Sequence, residues 1–418
     1  MAESRRHRQT APSPARSNLA LATLFLGMFV LGSGELLVVG VLDRIAADFH
    51  VTIAATGTLV TVYALGLAIG GPILTALTIR MEKKTVLGGA VALFVVCNLV
   101  AALTHSYALF LVLRFLIGAL QGLFIAGAFM AAVVVVPAER IGKAIGIVIS
   151  GVAMAGALGV PLGTLVGQTL GWRGSFMAIV AGAVVVLVGT VALIPTVPPA
   201  GAGAAHQARY AFAPRVLAVL FLNFIVFSAI FATLTYLVPF LRDVTGVTGA
   251  MLSVFLLAYG AATAVGSFGG GRFADRNAGR ALIVGSVGIA VSLLVLYLVG
   301  SIAWLVAIVL LAFGLCFYSI VPSLQVRVIA LAGPGGQLAQ SLPVSAANIG
   351  IAFGAFAGGV AIDKYGATAP VITGLVIAVV TIPVAWATGF LKPPVDAAPA
   401  GEATPAQPAS ATSPQATP

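Results

Sequence analysis

LALATLFLGMFVLGSGELLVVGVL, residues 19–42, decides how the rest of the chain is read. It is apolar for about 20 residues or more, the length an α-helix needs to cross the hydrocarbon of a bilayer. One acid interrupts it: Glu35, in the run Gly32-Ser33-Gly34-Glu35-Leu36-Leu37. A charge at that depth costs about 2.5–3.5 kcal/mol on insertion scales, and residues kept at such a cost mark proton or substrate paths. The competing reading is a neutral or paired carboxyl inside a packed bundle. Segmented by hydropathy, the chain has no other acid well inside an apolar span.

Composition extends this reading to the whole chain. Of 418 residues, 60% are hydrophobic and 8% charged, with mean hydropathy +1.13. A soluble domain carries about 25% charged residues, so this is an integral membrane protein. Its spans are long apolar runs, not the ~10-residue alternating segments of a β-barrel, and are therefore helices. The net charge of +10 is scattered among short loops. That pattern fits positive-inside orientation and excludes nucleic acid as a partner. Cys97 and Cys316 lie in separate spans, and His7, His50, His105 and His206 are isolated. Neither a disulfide nor a metal site is expected, and no cofactor. Arg5, Arg6 and Arg8 precede an apolar run longer than the roughly 7–15 residues of a signal-peptide core, which predicts an uncleaved first helix.

Twelve spans are expected, near 18–41, 55–79, 85–103, 108–136, 144–169, 175–195, 215–239, 250–271, 281–300, 302–326, 338–361 and 367–391. They group as a disordered tail (1–17), a six-helix half (18–195), a linker (196–214), a second six-helix half (215–391) and a second disordered tail (392–418). Of the 21 Lys and Arg, sixteen fall on the side of the N-terminus and four (Arg44, Arg173, Arg242, Lys364) on the other, while Arg114 lies within span 4. This predicts cytoplasmic termini. An internal repeat is visible at an offset of 196 residues: Tyr63 and Tyr259, Gly70 and Gly266, Arg80 and Arg276, Lys84 and Arg280, Gly89 and Gly285. The pairs occupy matching topological places, so the two halves share one orientation.

Two such halves, with this loop between helices 2 and 3 and between helices 8 and 9, resemble the major facilitator superfamily. That family's loop reads roughly Gly-x-Leu-Ala-Asp-Arg-x-Gly-Arg-Lys. Here Gly271-Arg-Phe-Ala-Asp275-Arg276-Asn-Ala-Gly279-Arg280 is similar, while the first-half copy keeps Arg80 and Lys84 but has Ile79 in place of Asp and Glu82 in place of Gly. The resemblance implies that Arg80, Lys84, Asp275, Arg276 and Arg280 act in a cytoplasmic gate. Arg114 followed by Gln121-Gly122 resembles, at longer spacing, a helix 4 pattern implicated in proton transfer. Gly156-Ala-Leu-Gly159-Val-Pro161-Leu-Gly163-Thr-Leu-Val-Gly167 resembles the helix 5 motif of antiporters. Read from the residues alone, Gly159, Gly163 and Gly167 form a small-residue stripe for close helix packing, and Pro161 removes a backbone donor and can bend the helix. The run from Gly34 through Asp48 is similar to twelve-helix drug/proton antiporters, particularly arabinose-efflux-like and chloramphenicol-efflux-like permeases.

Glu35 and Arg114 both fall roughly 10 Å below the outer surface, counting 1.5 Å per residue. A movable contact between them would switch the carboxyl between proton-free and proton-loaded forms. Asp43, about 80° around the same helix, either relays protons or caps the outer loop. Tyr63, Gln121, Asn223, Phe227, Phe231, Tyr236, Tyr318 and Asn348 supply polar and aromatic groups for an amphipathic substrate cavity; for each, plain interhelical hydrogen bonding is the competing reading. The expected function is proton-coupled efflux of a small organic molecule or drug by a monomer in the bacterial inner membrane. An exporter of a sugar, nucleoside or amino acid is the alternative, and a transport-dead receptor is less favoured. An intramembrane enzyme is disfavoured, since there is no His-Glu-x-x-His and no second deep acid.

Overall fold

The computed structural model describes residues 14–78, 81–137, 140–195, 212–333, 339 and 342–393; for 14, 141–143, 145, 153, 160, 267–268 and 271–276 it describes the backbone alone. Among these residues the chain is helical throughout, with no strand. The helices are α1 (Pro14–Phe49), α2 (Ile53–Leu77), α3 (Lys83–Leu103) and α4 (Tyr107–Val135), then α5 (141–170) and α6 (172–193), which share one helical run broken at Gly171. The second set is α7 (Pro214–Asp243), then α8 (250–276) and α9 (278–298), divided at Asn277, α10 (Ala303–Ala332), α11 (Leu342–Tyr365) and α12 (Ala369–Gly389).

Several boundaries move from the sequence reading. Helix α1 starts at Pro14 rather than 18, and it is broken at Val41 (φ −131°, ψ 17°), at the expected end of the span, before resuming to Phe49. Ser17 is buried and its hydroxyl donates to the Val135 carbonyl at 2.9 Å, so the expected tail to residue 17 ends earlier. Beyond that break, Asp43 and Asp48 look like loop residues, but each has a basic partner and both lie on the short helical continuation. The turn between α5 and α6 shrinks to Gly171, whose φ of +73° suits glycine. Pro161 leaves its helix unbroken. The gate loop after α8 is helical up to Asn277. The linker (196–211), Ile79, Arg80 and the tails before residue 14 and after 393 lie outside the described residues, as do the side chains of Asp275 and Arg276.

Helices α1–α6 pack among themselves, as do α7–α12, and the two sets meet mainly where α2 crosses α11 and α5 crosses α8. Under the 196-residue offset α2 corresponds to α8 and α5 to α11, so each seam maps onto the other, as two parallel-related halves require. Glycine permits the closest approaches. A Cβ on Gly163 would lie 2.9 Å from the Leu37 Cα, and one on Gly159 3.3 Å from the Ser33 Cα, so the α5 stripe packs on the α1 backbone. Helix α2 widens into a π-helical turn at Gly66–Gly70 beside α4. There a Cβ on Gly122 would lie 2.8 Å from the Gly71 Cα. Gly122→Val is therefore expected to cost about 1–3 kcal/mol by overpacking. Gly89→Ala, with nothing within 4 Å of the new Cβ, should leave thermal unfolding in detergent unchanged.

Hydrogen bonds join the halves toward the end remote from the termini. Arg242 Nη1 donates to Asp43 Oδ2 at 2.9 Å, Gln168 Nε2 to the Gly249 carbonyl at 2.8 Å, and Thr61 Oγ1 to the Ala352 carbonyl at 3.2 Å. The Tyr236 ring fills the space left by Gly57, Gly358 and Gly359 between α2 and α11.

Candidate functional site

The deep polar residues meet where α1, α2 and α4 converge. The Tyr63 hydroxyl donates to Gln121 Oε1, and Gln121 Nε2 donates to Glu35 Oε2 at 3.1 Å. A hydroxyl, an amide and a carboxyl thus form a chain, with the amide fixed in orientation by both neighbours. Glu35 is half-buried, whereas Tyr63 is fully buried and Gln121 nearly so. From α10, the Tyr318 hydroxyl abuts Gly156 of α5. Glu35 therefore ends a polar chain within the first half, and a phenol from the second half meets α5.

Arg114 has 0% exposure, but its partner differs from the expected one. Nη1 donates to the Gly34 carbonyl at 2.9 Å, Nη2 to the Glu35 carbonyl at 3.2 Å and Nε to the Leu59 carbonyl at 3.4 Å. Its guanidinium carbon lies 4.0 Å over the Tyr63 ring. No salt bridge joins it to the Glu35 carboxylate. The depths match as expected, but the guanidinium braces the α1 backbone against α2. Depth fixes height in the membrane; it does not fix which atom a long side chain reaches.

The other candidates divide. Phe227 stacks on Phe231, with ring centroids 6.4 Å apart, and meets Phe317 edge-on at 5.2 Å; Phe317 in turn contacts Tyr318. These rings form one aromatic wall in the second half. Asn223 does not join it: buried, it donates to the Pro343 carbonyl at 2.6 Å and ties α7 to α11. Tyr236 is likewise occupied, donating to the Ala355 carbonyl at 2.8 Å in the α2–α11 seam. Asn348 donates to Val344 within its own helix, leaving its buried Oδ1 unpartnered. Lys84 is half-buried and Arg280 exposed. Asp43 lies apart from the Glu35 cluster and engages Arg242, which also pairs with Asp243 at 2.7 Å.

Sequence reasoning missed two features. One is Arg242 itself; the signal was its place among only four basic residues on that side, each in need of an acid. The other is Asp48, which accepts from Trp172 Nε1 at 3.1 Å and Arg173 Nη2 at 2.8 Å beside the stacked rings of Phe49, Phe110 and Trp172. That cluster fastens the end of α1 to the start of α6. Among the described residues no group of His, Cys, Asp and Glu is arranged to hold a metal ion.

Known proteins share this architecture. Residues 24–339 match the Major Facilitator Superfamily. The chain is 34% identical over 361 residues to the uncharacterized MFS-type transporter YtbD of Bacillus subtilis, covering 85% of this chain and 91% of that protein. It is 30% identical over 350 residues to the inner membrane transport protein YdhP of Escherichia coli K12, covering 83% and 89%. Among solved structures, a bacterial homolog of the human lysosomal transporter Spinster, inward-facing and unoccupied, superposes with a TM-score of 0.78 at 17% identity, over 90% of this chain and 97% of that one.

Proposed function

The chain belongs to the Major Facilitator Superfamily, and from that premise we propose that this membrane transporter, which is not an enzyme, exports a small organic molecule in exchange for protons. The observation carrying the proposal is the deep Glu35 carboxyl, hydrogen-bonded to the neutral amide of Gln121 while the nearby Arg114 guanidinium is spent on backbone carbonyls and not on a salt bridge. A carboxyl so placed can take and release a proton as the surrounding water access changes, because no salt bridge commits it to one form. The aromatic wall opposite suits a partly apolar solute with one polar group, which a drug/proton antiporter handles. The charge asymmetry of the loops supports a cytoplasmic location for both termini. The contacts remote from the termini then hold the halves together on the outer side. In vesicles of known orientation, an imposed proton gradient should drive substrate uptake, and substrate addition should release protons. Flux that ignores the gradient for every drug and metabolite tested would refute the proposal.

In this reading Asp43 and Arg242 form an outer latch between α1 and α7, not a proton relay. Both are partly exposed, at 25% and 33%, and such pairs contribute about 0.2–1 kcal/mol. Asp43→Asn should change transport by less than about tenfold, favouring the outward-open state. Arg242→Asp should do more, because it brings Asp43 and Asp243 against a third acid. The swap Asp43→Arg with Arg242→Asp should restore flux; failure of the swap to recover any of it would show that the pair does more than hold the gate.

A further inference from the structure

Away from both seams, α7 and α12 border a groove of about 320 Å³ that transport, as proposed, does not use. Ala218 and Phe221 form one wall, and Val384, Ala387 and Leu391 the other. The groove lies at the end of the bundle that carries the termini. Its lining is apolar, and Phe221, Trp386 and Phe390 are exposed beside it. Of these, Trp386 has the amphipathic ring that sits at headgroup level. The slot therefore faces acyl chains, with its mouth at the membrane–water boundary.

Three cations surround that mouth. Arg215 precedes Ala218 by three residues and so shares its helix face; its Nε donates to the Leu331 carbonyl at 2.7 Å. Arg327, from α10, donates through Nη2 to the carbonyls of Thr388 at 2.7 Å and Leu391 at 2.8 Å, both at the groove, while its buried Nε has no partner. Lys392, next to Leu391, is exposed. Among the described residues none of the three pairs with an acid. An apolar slot opening on lipid, under uncompensated positive charge, is complementary to one class of molecule.

We propose that this groove binds an anionic phospholipid, one acyl chain lying between α7 and α12 and the phosphate facing Arg215 and Lys392. Basic pockets between helices on the cytoplasmic side hold acidic headgroups in this way, and the volume lies at the lower end of the roughly 300–1,000 Å³ of ligand sites. Arg327 is committed to the carbonyls at the end of α12. A zwitterionic lipid fills the slot equally well but leaves the cations without net compensation.

The test uses the full chain in detergent, titrated with dioleoylphosphatidylglycerol, dioleoylphosphatidylcholine or glycerol phosphate, with thermal unfolding and native mass spectrometry as readouts. Phosphatidylglycerol should raise Tm and remain bound; the other two should do neither. Arg215→Gln and Lys392→Gln should each weaken phosphatidylglycerol binding roughly fivefold. Ala218→Trp, which fills the slot and keeps both cations, should remove the response. An equal response to phosphatidylcholine would make the site a plain hydrophobic slot, and an equal response to glycerol phosphate would make it a free-anion site. Either result overturns the proposal, as does binding that all three variants leave intact. No response in the full chain overturns it too, since the groove is then covered by something else, such as residues 394–418.

Discussion

Glu35→Gln should abolish uphill transport while leaving a folded protein that still binds substrate. The amide occupies the volume of the carboxyl and offers the same kind of acceptor to Gln121 Nε2, which now meets Glu35 Oε2 at 3.1 Å. A neutral amide is easier to bury than a carboxylate. Stability should therefore change by no more than about 1 kcal/mol, the net worth of one hydrogen bond. What the variant lacks is a second protonation state. If the proton travels on Glu35, substrate-driven proton release from vesicles falls to background and accumulation against a gradient disappears. Equilibrium exchange of substrate survives, and substrate affinity loses its dependence on pH. Undiminished, pH-dependent antiport in this variant would send the proton elsewhere, with Asp43 the next candidate despite its engagement by Arg242.

The fold was legible because hydropathy suffices to locate helices that must cross a bilayer. Each span expected from the sequence overlaps a helix among the described residues. Boundaries were less legible, because charged residues at helix ends look like loops until their partners are known. Asp48 reads as a loop residue, yet Trp172 and Arg173 hold it on the helix. The site was legible in part. Glu35, Gln121 and Tyr63 were all singled out, and they touch. Period and depth alone did not reveal that Tyr236 and Asn223 spend their polar atoms on backbone carbonyls of α11. A polar side chain on an inward face can serve either a substrate or a neighbouring helix, and both leave the same mark in one sequence. The partner of Arg114 was illegible for a related reason. Gly34 bares its carbonyl to a neighbouring helix, and a guanidinium with five donors takes backbone oxygens as readily as a carboxylate.

That partner changes what Arg114 variants should do. A guanidinium that neutralised Glu35 would, on removal, alter the pH dependence of transport and spare the fold. A guanidinium that joins the carbonyls of Gly34, Glu35 and Leu59 and lies on the Tyr63 ring would do the reverse. Arg114→Ala empties the space of a large, fully buried side chain and leaves α1 unbraced at the position of its acid. The cost should be about 3–5 kcal/mol, comparable to other large-to-small changes in a packed interior, seen as poor yield and a marked fall in Tm. Arg114→Lys keeps a positive charge on a flexible stem but loses the planar fork and its stacking. It should recover part of the stability and reach one or two of the three carbonyls. The decisive readout is the pH profile of substrate-driven proton release in the folded Arg114→Lys protein. Because Arg114 acts through the backbone, that profile should keep its midpoint while the maximal rate falls. A midpoint displaced with the rate unchanged would mean that the guanidinium meets the carboxylate during the transport cycle, and that the bracing seen in this state is only one of its positions.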